Sequence, residues 1–343
     1  MKKALFLFTL IIIVCVTACN KQSDSIYAEQ LEESKGYVLP IEDFDQMEEE
    51  IEENIFEFEA VLSDQYTVDQ LEIEGVKSPN GILCRENDIL ISDGANDTLV
   101  VTDFDGNVIR KLGKTGNGPL EFVQPGDIVN YKDRIYILDE KNHRVQILDE
   151  ELNYIDEVET RVSDPNDPQF IFQNMAVNET GIFVNGFSYF NSRIYLYTQK
   201  EKAPVMIGKN FFGPLYEYQE EIYAINTGNK AYDRKEDSMH YVSGGDNFIF
   251  RVDTGKKDLE LKYELMAATD ATGFIMDQKH IVAVSASQGS VFSFSEDGNY
   301  EYTIAYIEDL QKEKSPDISV DSNGNYYVTA SENGKVFRVS MKK

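Results

Sequence analysis

The stretch DEKNHRVQIL, residues 139–148, sets His143 beside Arg144, just downstream of Asp139 and Asn142. An imidazole near a carboxylate is the start of a general-base relay, in which the acid fixes the ring tautomer and the ring moves a proton. The same residue types also suit a tight link between two strands, where Asx side chains bond the local backbone and Arg144 reaches acids of its own sheet. The chain has only three histidines; His143, His240 and His280 each lie inside a repeat, and no G-x-S-x-G accompanies them. Ser-His-Asp catalysis therefore lacks its nucleophile, and Asp139, Asn142, His143 and Arg144 are read as repeat punctuation. GKT at 113–115 resembles a phosphate loop, but position 108 is Val108 where that loop needs glycine, and the run leads out of a strand. Three cysteines and three histidines, with no CxxC spacing, make no zinc cage.

A second constellation is built from oxygen. Asn80, Asp127, Asn174, Thr272 and Asp317 stand at the start of similar short segments: NGILCR, GDIVNY, QNMAVN, TGFIMD and PDISVD. If those segments converge, the ring of oxygens suits Ca2+ or Mg2+. Strands also simply begin with turn formers, so no cofactor is certain. A third candidate is aromatic: Tyr189 and Phe190, beside a long insertion, form a recognition patch for sugar or peptide, whereas most other Tyr and Phe are expected in the core.

What positions these residues is a repeat. Alternating strands separated by polar links recur at 87–113, 133–158, 180–199, 238–261, 278–306 and 323–343. Equivalent positions Asp93, Asp139, Asn185, Ser243, Ser285 and Ala330 give a period in the forties, with one insertion in the fourth unit. Strand repeats of that length mean propeller blades. The fourth innermost strand is the hardest to place, and EEIYAIN at 220–226 is assigned to it. The sixth unit ends one strand short, leaving an edge that invites association. The strand-like segment between Ile55 and Glu74 is assigned to close it. The expected fold is all-β: a six-bladed β-propeller of four-stranded antiparallel blades over 55–343, closed by an N-terminal strand.

The amino end is different in kind. Lys2 and Lys3 precede an apolar stretch, Ala4 to Val16, too short for a stable span. It ends in Val16-Thr17-Ala18-Cys19, which resembles a bacterial lipobox. Residues 1–19 are thus read as a lipoprotein signal peptide, with Cys19 as the lipidated residue. Residues 20–54 form an acidic tether with a short amphipathic helix over Phe44–Phe58 as an open alternative to linker. This places the body in the cell envelope outside the cytoplasm, on the periplasmic or surface face of the outer membrane, held through lipid. A formal charge of −29 repels phosphate backbones, so nucleic acid is not an expected partner.

Residues 113–148 resemble an NHL repeat: Gly116, Gly118, Pro119, Glu121 and Phe122 match its lead-in, Pro125 and Ile128 its next strand, and Asn142-His143-Arg144 its triplet. The mature chain is similar to bacterial six-bladed propeller lipoproteins, most of them described only by their fold. That resemblance implies structural roles for Asp139, Asn142, His143 and Arg144. The expected function is a non-catalytic binding or scaffold module for a protein, peptide or glycan. The alternative is a metal-dependent propeller hydrolase, lactonase or lyase with an axial Ca2+ or Mg2+.

Overall fold

The structure, a computed structural model, describes residues 61–162, 170–187, 192–198, 203–209, 211–226, 229–233, 238–242, 247–265, 271–277, 279–313 and 315–342. Cys19, the 20–54 tether, Tyr189 and Phe190 lie outside the described residues.

Six four-stranded antiparallel sheets are the blades. Their innermost strands are Pro79–Cys84, Pro125–Tyr131, Ile171–Asn178, Leu215–Tyr218, Ala271–Met276 and Ile318–Val320. Each lies against the next, and the sixth against the first, so they ring an axis. The second strands explain the burial. In Ile89–Asp93 every residue is buried, because a blade has a neighbour on both faces and strand side chains alternate between them. Ile89 and Ile91 pack toward blade six while Leu90 packs toward blade two. One apolar cluster fills each of the six blade interfaces. A fully buried side chain such as Leu90 or Phe292 contributes about 1.5–3 kcal/mol. Outer strands read differently: Val108–Leu112 exposes its central residues, and Arg110 and Lys111 there keep the edge from pairing with another chain.

The sixth blade takes its outer strand from the other end of the chain. Tyr66–Leu71 pairs antiparallel with Lys335–Met341, from Tyr66 opposite Met341 to Leu71 opposite Val336. Just upstream, Leu62 bridges Thr303 of blade five in parallel, so the seam is anchored to two blades.

The fourth unit departs from expectation. Its innermost strand is Leu215–Tyr218, and Glu221–Ile225, which the sequence reading placed at the axis, is its second strand. The third strand is Asn247–Asp253. Between them a separate hairpin, Asn229–Asp233 with Ser238–Val242, stands outside the blade. The inserted hairpin is itself alternating, so it imitates a blade strand and shifts the apparent repeat. Asn226 directly follows the second strand, and its side-chain oxygen accepts the amide of Phe248 at 2.6 Å; Ser243 lies outside the described residues.

Candidate functional site

The innermost strands enclose an axial cavity of about 420 Å3. Asp127, Asn174 and Asp317 line it; Asn80 and Thr272 do not. Asn80 and Thr272 each stand one residue upstream of the position that faces the axis. Ile82 pairs with Ile91 and Phe274 with Ala283, as Ile128 pairs with Ile137 and Ile318 with Val328. The residues directly before Ile82 and Phe274 are Gly81 and Gly273, so these correspond to Asp127 and Asp317, and a one-residue slip turns a side chain to the other face. Asn80 instead donates to the Pro125 carbonyl at 3.0 Å and accepts from Ser78. Thr272 turns back to the Val284 carbonyl of its own blade. Gly81 is glycine because any Cβ would strike the Gly126 carbonyl.

Asp127 and Asp317 brace the ring. The Asp317 carboxylate accepts the amide of Ile82 in blade one at 2.9 Å and that of Ile318 at 2.8 Å. Asp127 accepts the amide of Met175 in blade three at 2.6 Å. Each acid therefore fastens its own innermost strand to the next. Burial pushes both carboxyls well above the usual range, and the charge of Asp317 raises Asp127 further. Glu140, from the link that follows the second strand of blade two, reaches over Gly126 and is pushed up to about 7 by burial. Sequence reasoning missed Glu140 as part of this acidic end, because its approach depends on the fold of a short turn.

The same strands end at a second acidic level. Tyr131, Lys132, Tyr216, Glu217 and Glu220 line the cavity there. Tyr131 donates to the Glu220 carboxylate at 2.6 Å. The Glu220 amide binds the Glu217 carboxylate at 2.7 Å, and the Glu220 carbonyl accepts from Asn178. Gln219 and Glu220 both have positive φ, 54° and 63°, the geometry of a two-residue hairpin turn that favours Asn-Gly. These three bonds, to blades two, three and four, hold the strained turn. The Lys132 ammonium lies 4.7 Å from the centre of the Tyr131 ring. On the wall, burial pushes the Cys84 thiol up to about 12, so it is an unreactive small hydrophobe.

The histidine constellation is a joint in the fold. Arg144 is buried, and its guanidinium reaches Asp139 at 2.9 Å, Glu157 at 2.7 Å, and the carbonyls of Asn117, Gly118 and Glu121. The G-x-G-P-x-E-F lead-in wraps this one cation. Asn142 ties Asp139 to the Gly116 carbonyl, as Asn96 ties Asp93 to the Gly75 carbonyl in blade one. His143 takes the left-handed position that ends the link, φ 53°, and desolvation lowers its pKa. His280, at the start of the second strand of blade five, lies 3.7 Å from Asp277 and 3.8 Å from Glu301 and does not line the cavity.

A hard cation takes six to eight oxygens. The cavity offers it Asp127, Asp317 and the Asn174 amide, with both acids already holding backbone amides. Among the described residues, no group of three or more His, Cys, Asp and Glu is arranged to hold a metal ion.

Several solved structures share the fold. A calcium-binding regucalcin from Agrobacterium tumefaciens superposes with TM-score 0.56 at 11% identity, over 82% of this chain and 96% of that one. A gluconolactonase from Xanthomonas campestris gives 0.55 at 10%, over 82% and 92%. A putative exported protein from Bacteroides fragilis gives 0.51 at 12%, over 83% and 98%. At such identities the likeness is one of architecture. No curated protein matches in sequence. A family described as 6-bladed beta-propeller matches residues 29–228, more than half of the sequence, and with six blades closed around an axis the chain belongs to that family.

Proposed function

We propose that the protein is a lipid-anchored binding module of the cell envelope, held at Cys19, with NHL-type repeats as its frame and the axial cavity as a recognition site beside its loop surfaces. One observation carries this reading. The axial acids are engaged with backbone amides of adjacent blades and the wall beyond them is apolar, a lining suited to holding a ligand. Tyr189 and Phe190 remain the proposed outer contact for a peptide or glycan.

A second reading, a Ca2+- or Mg2+-dependent hydrolase or lyase, is favoured by the axial acids together with the calcium-binding and lactonase propellers that share the fold. Calorimetric titration of calcium separates the two. The binding reading expects no stoichiometric calcium uptake that disappears in Asp127→Ala with Asp317→Ala, and retention of a partner when the intact chain is cross-linked in membranes and captured. Calcium uptake abolished by the double variant, with lactone hydrolysis that follows it, would favour the second.

A further inference from the structure

The cavity has two acidic levels with an apolar wall between them. Asp127, Val129 and Tyr131 occupy alternate positions of one innermost strand, so they share a face. Four residues of strand separate the first from the last, about 13 Å. Leu83, Val129, Ala176 and Ile275 line the middle. The inner level carries two carboxylates and the Asn174 amide; the mouth carries Tyr131, Tyr216, Glu217 and Glu220.

Carboxylates alternating with aromatic faces recognise ammonium groups. At the mouth this preference is already visible, because the alkylammonium of Lys132 rests on the Tyr131 ring. A net charge of −29 draws cations to the molecule over long range.

We propose that the axial cavity binds a linear aliphatic polyamine. One ammonium donates to Asp127, Asp317 and Asn174, displacing to solvent the proton that burial keeps on the acid pair, a second sits among Tyr131, Glu217 and Glu220 in place of Lys132, and the methylenes between them cover the apolar wall. The proposal rests on the binding reading above and names its ligand class. Two charges set at a fixed separation are the specificity element: a shorter diamine reaches one level at a time, and a monoamine satisfies only one.

Calorimetry on the full chain at physiological ionic strength tests this with spermidine, putrescine and octylamine. Spermidine is expected to bind one per chain, with putrescine and octylamine at least about tenfold weaker. Asp127→Asn with Asp317→Asn is expected to lose about tenfold or more. Glu217→Gln with Glu220→Gln, which leaves the axial brace intact, is expected to do the same and decides the matter if the axial variant does not fold. Absence of spermidine binding, equal binding of all three amines, or binding unchanged in the rim variant would overturn the proposal. Partner capture in membranes is a separate readout: if capture persists while spermidine fails, the ligand class falls and the binding reading stands.

Discussion

Arg144 shows why a reactive-looking triplet is a structural one. Its side chain is 7% exposed and Asp139 is fully buried, and a buried cation is stable only when its donors are met. Removing one partner strands the other. Arg144→Met is therefore expected to cost about 3–5 kcal/mol of stability, read as a lower midpoint in urea. His143→Gly should be neutral or stabilising by up to about 1 kcal/mol, since glycine takes the left-handed link position freely. A loss of several kcal/mol on His143→Gly would contradict the assignment. The joint was legible from Asp139, Asn142 and Arg144 because their spacing is local. Asn80 and Thr272 were misplaced relative to the axis because they lie one residue upstream of the positions equivalent to Asp127 and Asp317, an offset that turn-forming residues at the head of each strand do not reveal. Tyr131, Glu217 and Glu220 went unread for a related reason: they come together from two blades through a turn conformation that Gln219-Glu220 does not advertise.

At the scale of elements, five blades followed directly from the repeat, and the fourth was obscured by its inserted hairpin. Period counting fails where an insertion is itself built of strands. The closing strand was legible from a deficit, since the last unit lacked its outer strand and Tyr66–Leu71 had no blade of its own. Deleting residues 61–74 removes six paired residues from blade six and uncovers Lys335–Met341 as an open edge. Such a chain is expected to melt lower and to form concentration-dependent oligomers in sedimentation, because unpaired edge groups recruit other strands. A monomer with unchanged melting would show that the seam contributes little.

For the molecule as a whole, the axial acids make stability depend on pH. Asp127, Asp317 and Glu140 all have raised pKa values in the folded protein, so the fold keeps protons that the unfolded chain releases from about pH 4 upward. Their stabilisation is fully present below that point and is lost as pH rises through about 7, the value for Glu140. The melting temperature should accordingly fall between about pH 5 and about pH 8. Self-repulsion at a charge of −29 acts in the same direction, so the test is the difference in slope: Asp127→Asn with Asp317→Asn should flatten the profile, and an unchanged slope would remove the acid pair as its cause.

The seam joins Thr67 to Ser340, positions 273 apart. A chain that emerges amino end first carries one lip of that joint throughout its synthesis before the other lip exists. Contacts so distant are made late and slowly, and in the interval the sixth sheet offers its bare margin to any neighbour. The strand Lys335–Met341 thus decides whether the circle shuts. Truncation within Lys335–Met341 would be felt as a failure to seal, at the expense of a strand made 273 residues earlier.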